Sequence, residues 1–350
     1  MEIKEILKEI LTAHVPSGRE PEGSGAVKVL FKNYFDEVRV DKLGNIIGKK
    51  KGNEGSFKVM IAAHMDEIGM MVTKIEEKGF IRFAYVGGID QRILLGQEVL
   101  IHGKKIIPGI IGSKPPHLQE PDEKSKALKK EDLFIDTGLS YEKIKEIINV
   151  GDFITFKRKP IELMNNHFSS NALDDKAGVA AILCCMEELK KFNFKGEVYG
   201  VATVQEEVGL RGAITSTYGI YPDIGIAIDV GHGNIPDLPE EETFKLGKGP
   251  AIALGPNIHP KLYEKLKSIA EEYKIPYQID PNPSYTGTDA WSIQITRAGV
   301  PTALISIPLR YMHTTVETLN TEDIKLIGRL IALFIASIDT EFVEGLKCFY

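Results

Sequence analysis

The apolar positions of this chain follow two patterns that predict two kinds of structure. Continuous apolar runs, typical of strands buried on both faces, occur at KVMIAAHMDE (58–67), GEVYGVATVQ (196–205), DIGIAIDV (223–230) and PTALISIP (301–308). Helical spacing predicts helices over 1–15, 22–35, 174–192, 260–273 and 321–338, and VRVDKLGNIIGKK (38–50) predicts a hairpin. The alternation of strands and helices predicts an α/β fold with a mixed, largely parallel central sheet flanked by helices.

The second pattern covers residues 68–164, where short β-like segments are separated by glycine or proline turns and only 141–148 has helical spacing. Many short strands at regular spacing are typical of a small barrel or sandwich. We therefore expect a discontinuous catalytic α/β domain, 1–67 and 165–350, with a small β-barrel domain inserted at 68–164. Within the insert, the charged run 117–132 predicts a solvated loop.

Composition excludes several classes of protein. The net charge of −6 gives no indication of a nucleic-acid partner. No stretch approaches the roughly 20 apolar residues that a membrane span needs, and the N-terminus reads as an amphipathic helix rather than a signal peptide. Cys184, Cys185 and Cys348 do not form a disulfide framework, so we expect a reducing, cytoplasmic setting.

Residues of the types that bind metals follow the predicted strands. His64, Glu206, Glu207 and Asp229 each end or follow an apolar run. Because ligands collect at the carboxyl ends of parallel strands, we expect these side chains to converge. With Asp174 and His313 the set contains two histidines and four carboxylates, which favours a hydrolytic site with two metal ions.

Local sequence suggests a role for several of these residues. Asp66 lies two positions after His64, on the same side of an extended chain, so its carboxylate is expected to accept a hydrogen bond from the ring nitrogen that does not bind metal. Asp174 opens a predicted helix, where it serves either as an N-cap or as a carboxylate bridging two cations. Neighbouring Glu206 and Glu207 point to opposite faces, so one can bind metal while the other acts as a general base.

Asp229 is a candidate terminal ligand of one ion, and His313, in RYMHTT, would complete the coordination of the other. Whether His232 and His117 have a role in the site is left open by the sequence. The chain contains no HExxH helix, Walker loop, GxGxxG, GxSxG or CxxC motif, so serine, cysteine and nucleotide-dependent mechanisms have no support.

Six segments together resemble the glutamyl and deblocking aminopeptidases, a family of tetrahedral metallopeptidases with two metal ions. They run in order through nearly the whole chain: AAHMDEIG, NALDDKAG, VQEEVGLRGA, AIDVGH, TGTDAWSIQ and RYMHT. The position of the insert, between His64 and Asp174, favours this family over the related carboxypeptidases and acyl-amino-acid hydrolases, which carry theirs after the third ligand.

The resemblance implies specific roles. His64 and Asp229 would bind one ion, Glu207 and His313 the other, and Asp174 would bridge them. Glu206 would be the general base, Asp66 would orient His64, and the peptide bond between Asp174 and Asp175 would be cis. The family binds zinc or cobalt, acts on peptides, and assembles through the inserted β-domain, as dimers, into a hollow homo-dodecamer.

We therefore expect a metal-dependent aminopeptidase with two divalent ions per subunit and a broad preference that leans to neutral residues such as leucine. Another amide hydrolase, a deacylase or a carboxypeptidase, is the main alternative. A glycosidase would use paired carboxylates but would leave His64 and His313 without a role. A non-enzymatic assembly module with a structural metal is the remaining alternative, and such sites are usually rich in cysteine.

Overall fold

The structure is a computed structural model that describes residues 2–118 and 128–347. Most of the predicted loop 117–132 and Cys348 therefore lie outside the described residues. None of the helices in the described part of the chain is both long and apolar enough to cross a bilayer.

Seventeen strands are formed by the described residues, and we number them in chain order. They are β1 (Glu37–Val40), β2 (Ile46–Lys51), β3 (Lys58–His64), β4 (Gly69–Ile75), β5 (Phe80–Val86), β6 (Glu98–His102), β7 (Ile106–Ser113), β8 (Leu133–Asp136), β9 (Phe153–Phe156), β10 (Ile161–Glu162), β11 (His167–Ser170), β12 (Glu197–Thr203), β13 (Ile224–His232), β14 (Ala251–Leu254), β15 (Gln278–Pro281), β16 (Thr302–Arg310) and β17 (Glu317–Asn320). The helices of the same residues are Ile3–Ile10, Glu20–Gly23, Gly25–Lys32, Tyr141–Ile147, Leu173–Leu189, Arg211–Ile220, Pro260–Glu272, Asp289–Ile295, Thr321–Ser337 and Thr340–Glu344.

Across the described residues, 11 strands form one mixed sheet with the order β1-β2-β12-β3-β13-β16-β17-β11-β10, and β14 and β15 extend it beside β16. Strands β12, β3, β13 and β16 run parallel. Val59 to His64 of β3 are all buried, as expected for a strand between two parallel neighbours that is covered on both faces. The prediction of a mixed, largely parallel sheet flanked by helices is confirmed.

The remaining strands, β4 to β9, close into an antiparallel barrel in the order β4-β5-β8-β7-β6-β9. The barrel has its own apolar core, which includes Met70, Ile81, Ile101 and Ile154 and is separate from the core of the large sheet. The predicted small β-barrel is therefore present. The exact chain limits of an inserted domain, 68–164, stay a prediction.

Several elements differ from the sequence-based expectation. The helix predicted at 22–35 is two helices, Glu20–Gly23 and Gly25–Lys32. The last long helix, predicted over 321–338, is capped by Asn320, whose side chain accepts from the Glu322 N–H. Strands β14, β15 and β17 were not expected, because segments of four residues are too short to show a hydrophobic period.

Candidate metal centre

The predicted site residues meet at the carboxyl ends of the parallel strands. His64 is the last residue of β3, Asp229 lies near the end of β13, and Glu206 and Glu207 follow β12. Together with Asp174 and His313 they line one cavity of about 750 Å³. The parallel sheet thus brings together six residues that are widely separated in sequence, as the positions of the strand ends predicted.

Asp174 lies between the two histidines. Its Oδ1 is 3.0 Å from His64 Nε2, and its Oδ2 is 3.4 Å from His313 Nε2. The carboxylate is buried, at 6% exposure. Each oxygen therefore faces a different imidazole, which is the arrangement that a carboxylate bridging two ions requires.

The two glutamates lie on opposite sides of Asp174. Glu207 Oε1 is 3.3 Å from His313 Nε2, whereas Glu206 Oε2 is 4.0 Å from His64 Nε2. Their side chains are 9% and 6% exposed for Glu206 and Glu207 respectively, so both face the interior of the site. The two glutamates lie in the loop after β12, where Gln205 has φ 55° and a turn begins at Glu207, and this loop directs the neighbouring side chains to different imidazoles.

Two groups of potential ligand atoms share His64. One contains His64, Asp174 and Glu207, and the other contains His64, Asp175 and Asp229, with all ligand atoms of a group within 4.8 Å of one another. Asp175 was not predicted as part of the site. It is fully buried, its Oδ1 accepts from the Gly178 N–H, and its Oδ2 has no hydrogen-bond partner among the described residues. The peptide bond between Asp174 and Asp175 is cis.

The pKa shifts of the cluster favour retained protons on its acids and on His313. Burial, reinforced by Asp229, raises the pKa of Glu206 to about 10, and burial raises the pKa of Asp229 to about 8. Hydrogen bonds to Asp174 and Glu207 raise the pKa of His313 to about 11. Divalent cations would replace these protons, and the imidazole and carboxylate donors suit zinc or a similar ion, so the residues fit a metal site.

Asp66 has a different partner from the one predicted. His64 Nδ1 is 3.0 Å from the backbone oxygen of Asp66 and 3.7 Å from its Oδ1. The carboxylate instead accepts the N–H groups of Glu206 (3.0 Å) and Glu207 (3.3 Å) and the Ser17 hydroxyl (2.6 Å). Because three donors already occupy the carboxylate, His64 is oriented by the carbonyl, and the Asp66 side chain fixes the backbone of both glutamates.

Two further acids support the site and were not assigned a role from sequence. Asp289 is buried, its Oδ2 accepts from the Thr203 hydroxyl at 2.6 Å, and burial raises its pKa to about 6. It lies in TGTDAWSIQ, one of the six segments that resemble the family, so the sequence did contain a signal that could have marked it. Glu317 contacts the backbone of Asp174 and His313, and no local pattern marked it. Of the histidines left open, His232 lines the cavity and His117 is exposed.

Residues 44–330 match the sequence profile described as M42 glutamyl aminopeptidase. This chain belongs to the M42 glutamyl aminopeptidase family. It is 38% identical over 325 residues to a lysyl aminopeptidase of Pyrococcus furiosus, covering 91% of this chain and 93% of the relative. Membership makes the protein an aminopeptidase, a hydrolase of peptide bonds, and removes the glycosidase and assembly-module alternatives.

Solved structures of M42-type enzymes have the same fold. An aminopeptidase from the archaeon Desulfurococcus kamchatkensis is 41% identical with a TM-score of 0.92, covering 99% of this chain and 98% of that one. The TET1 peptidase of Pyrococcus horikoshii is 33% identical with a TM-score of 0.84, covering 96% and 100%, and it assembles into a tetrahedron or a large octahedral shell. The family resemblance expected from the six sequence motifs is thus confirmed.

Proposed function

We propose that this M42 aminopeptidase removes N-terminal residues from peptides with two divalent ions and a glutamate general base. The observation that carries the proposal is Asp174, whose two carboxylate oxygens face the separate imidazoles of His64 and His313. In this assignment His64 and Asp229 would hold one ion, Glu207 and His313 would hold the other, and Asp174 would be shared by both. Zinc and cobalt are the proposed metals because imidazole and carboxylate ligands suit both.

When bound, a pair of divalent cations supplies Lewis acidity that activates water and stabilises negative charge on the scissile carbonyl oxygen. Glu206 is the proposed base. Its carboxylate borders the cavity beside His64 without being held by an Arg or Lys ion pair among the described residues. It would take a proton from the attacking water and donate it to the leaving amine. Asp66, by binding the Glu206 N–H, keeps this side chain in place.

The walls of the cavity suit a peptide with a free amino terminus. Glu241, Glu242 and Asp280 line it in addition to the metal-binding acids, and no Arg or Lys is present in that lining as far as the structure describes it. The acidic wall favours a cationic α-amino group. Apolar side chains, including Phe244 and Met312, also line the cavity, which supports the proposed lean towards neutral residues such as leucine.

Substrates with a blocked amino terminus distinguish an aminopeptidase from a deacylase or a carboxypeptidase. We expect kcat/KM for leucine p-nitroanilide to exceed that for its N-acetyl derivative by about 100-fold, because acetylation removes a charged group worth roughly 1.5–3 kcal/mol in hydrogen bonds. The measurement is a steady-state assay of both substrates on the same metal-loaded enzyme. A peptide with an amidated C-terminus is the control and should be cleaved normally. Preferred hydrolysis of acylated substrates would instead identify a deacylase, and dependence on a free C-terminus a carboxypeptidase.

We also propose a homo-oligomer, a dodecamer built from dimers, with residues 68–164 as the oligomerisation domain. The proposal is supported by the shells formed by the TET1 peptidase of Pyrococcus horikoshii. On the barrel, Ile106 and Ile110 are 57% and 55% exposed, so apolar surface is available for contact. Light scattering should give about twelve times the 38.8 kDa of one chain. A monomer at micromolar concentration would exclude the assembly.

A cytoplasmic location is proposed from the cysteines. Cys184 and Cys185 are both free thiols in the structure, and burial raises the pKa of Cys185 far above its usual value, which keeps that thiol inert. Free thiols are typical of reducing compartments. Cell fractionation with an antibody against the protein tests the location, and recovery in an extracellular fraction would contradict it.

A further inference from the structure

Glu317 is a buried carboxylate that joins two distant parts of the site. It is the first residue of β17, lies opposite Ser170 of β11, and is only 2% exposed. Its Oε2 accepts the Asp174 N–H at 3.1 Å, and its Oε1 accepts the His313 N–H at 3.0 Å. One side chain thus holds the backbone of both residues, with one oxygen for each.

Neither of these N–H groups lies in regular structure that would fix it. Asp174 has non-helical angles, φ −75° and ψ 107°, at the start of its helix, where N–H groups have no intrahelical acceptor. His313 has φ 60°, in the left-handed region that side chains other than glycine rarely adopt. A residue in that conformation persists only when its surroundings hold it. The Glu317 carboxylate provides the contact that holds each segment.

The position of Glu317 is electrostatically unfavourable unless it serves the site. A buried carboxylate beside another carboxylate, Asp174, is destabilising without nearby positive charge. The imidazole rings described beside these acids, those of His64 and His313, both contact Asp174 rather than Glu317. An apolar or neutral side chain would avoid this cost, so the acid at this position is better explained by the two N–H groups that it binds.

We propose that Glu317 is a positioning residue that sets the distance between Asp174 and His313 and so forms the metal position that His313 shares with Glu207. The inference rests on the proposed two-metal function. Glu317 is not among the residues that line the cavity, and it acts through the backbone of two proposed ligands. The other position, formed by His64 and Asp229, depends on different contacts, because His64 is oriented by the Asp66 carbonyl and Asp229 by its place in β13.

The test is zinc affinity in Glu317→Gln and Glu317→Asp. Glutamine replaces one acceptor oxygen by an NH₂ group, which cannot accept from either N–H. Aspartate keeps the charge but has a side chain one carbon shorter, so it cannot reach both N–H groups. Each variant is expected to bind the zinc ion between Glu207 and His313 about 10–100-fold more weakly, the usual effect of removing a partner of a metal ligand. The other position shares only Asp174 with it, so its zinc affinity is expected to fall less. Competition with a chromogenic chelator measures both affinities without any activity assay.

Asp323→Asn is the matched control. Asp323 is also a fully buried carboxylate that accepts two backbone N–H groups, those of Gly247 (2.7 Å) and Gly249 (2.8 Å), but it contacts no proposed ligand in the hydrogen bonds described for it. If the loss of any buried carboxylate that binds two backbone N–H groups weakened zinc binding, this variant would also bind zinc more weakly. We expect it to lower the melting temperature and to leave both zinc affinities unchanged.

The possible outcomes are distinct. Greater weakening of the ion between Glu207 and His313 than of the other ion in the Glu317 variants, with normal binding in Asp323→Asn, supports the positioning role. Wild-type binding of both ions by both Glu317 variants, or equal weakening in the control, overturns it while leaving the two-metal function intact. A wild-type protein that binds fewer than two ions would instead contradict the proposed function itself.

Discussion

Replacing Glu206 with glutamine is expected to lower kcat by about 10²–10⁴-fold, the contribution typical of general-base catalysis, while both metal ions stay bound. The amide has nearly the same shape as the carboxylate but cannot take a proton from water. Because Glu206 is not among the proposed ligands, the metal content should not change. Steady-state kinetics on a leucine anilide and metal analysis by mass spectrometry after dialysis measure the two effects on one sample.

The adjacent residue supplies the control. Glu207 has a similarly buried side chain, but its Oε1 lies 3.3 Å from His313 Nε2, so Glu207→Gln removes a proposed ligand. We expect that variant to lose one of the two ions together with its activity. The metal content of the two variants therefore distinguishes a general base from a metal ligand, although both variants are expected to lose activity. If Glu206→Gln lost metal and Glu207→Gln kept it, the two roles would have to be exchanged.

Zinc binding is expected to become weaker as the pH falls, by roughly tenfold per pH unit for each proton that binding displaces. Without metal, contacts with Asp174 and Glu207 raise the pKa of His313 to about 11. Burial opposes a charged His64 ring, but its contact with Asp174 and the surrounding carboxylates hold its pKa well above the usual value. Raised pKa values favour protonated rings in the metal-free protein, and an imidazolium cannot bind metal. Loading the site is therefore expected to release protons.

The sign of this effect follows from the raised pKa values. Groups that hold protons in the metal-free protein must lose them on binding, so high pH favours the metal-bound form and low pH favours release. Calorimetry in two buffers with different ionisation enthalpies counts the protons directly. His313→Ala should release about one proton fewer. Binding heats that are independent of the buffer would show that no net proton is released and would contradict the expected pH dependence.

The sequence was sufficient to predict the framework of the site for a physical reason. Strands β3, β12 and β13 are buried on both faces, so they appear in the sequence as continuous apolar runs, and a polar residue at their ends is conspicuous. His64 and Asp229 were recognisable for that reason. The barrel was recognisable because its strands are short and separated by turn residues.

Contacts between distant segments were not predictable in the same way. The partner of His64 was expected to be the Asp66 carboxylate from local spacing, but the loop after β12 occupies that carboxylate, and its position depends on the whole sheet. Glu317 lies in a strand of four residues that shows no periodic pattern. Its role depends on the N–H of Asp174, which only the folded chain brings near. Sequence patterns therefore indicated the residues that line the site better than the groups that hold them in place.

The most direct test of the two-metal centre is diffraction from zinc-loaded crystals at the zinc absorption edge. The proposed site predicts two anomalous peaks in each subunit, roughly 3.5–4 Å apart, as in other sites with two catalytic ions. One peak should lie between His64 and Asp229, the other between Glu207 and His313, and both should contact the Asp174 carboxylate. A single peak, or a pair that Asp174 does not bridge, would contradict the account.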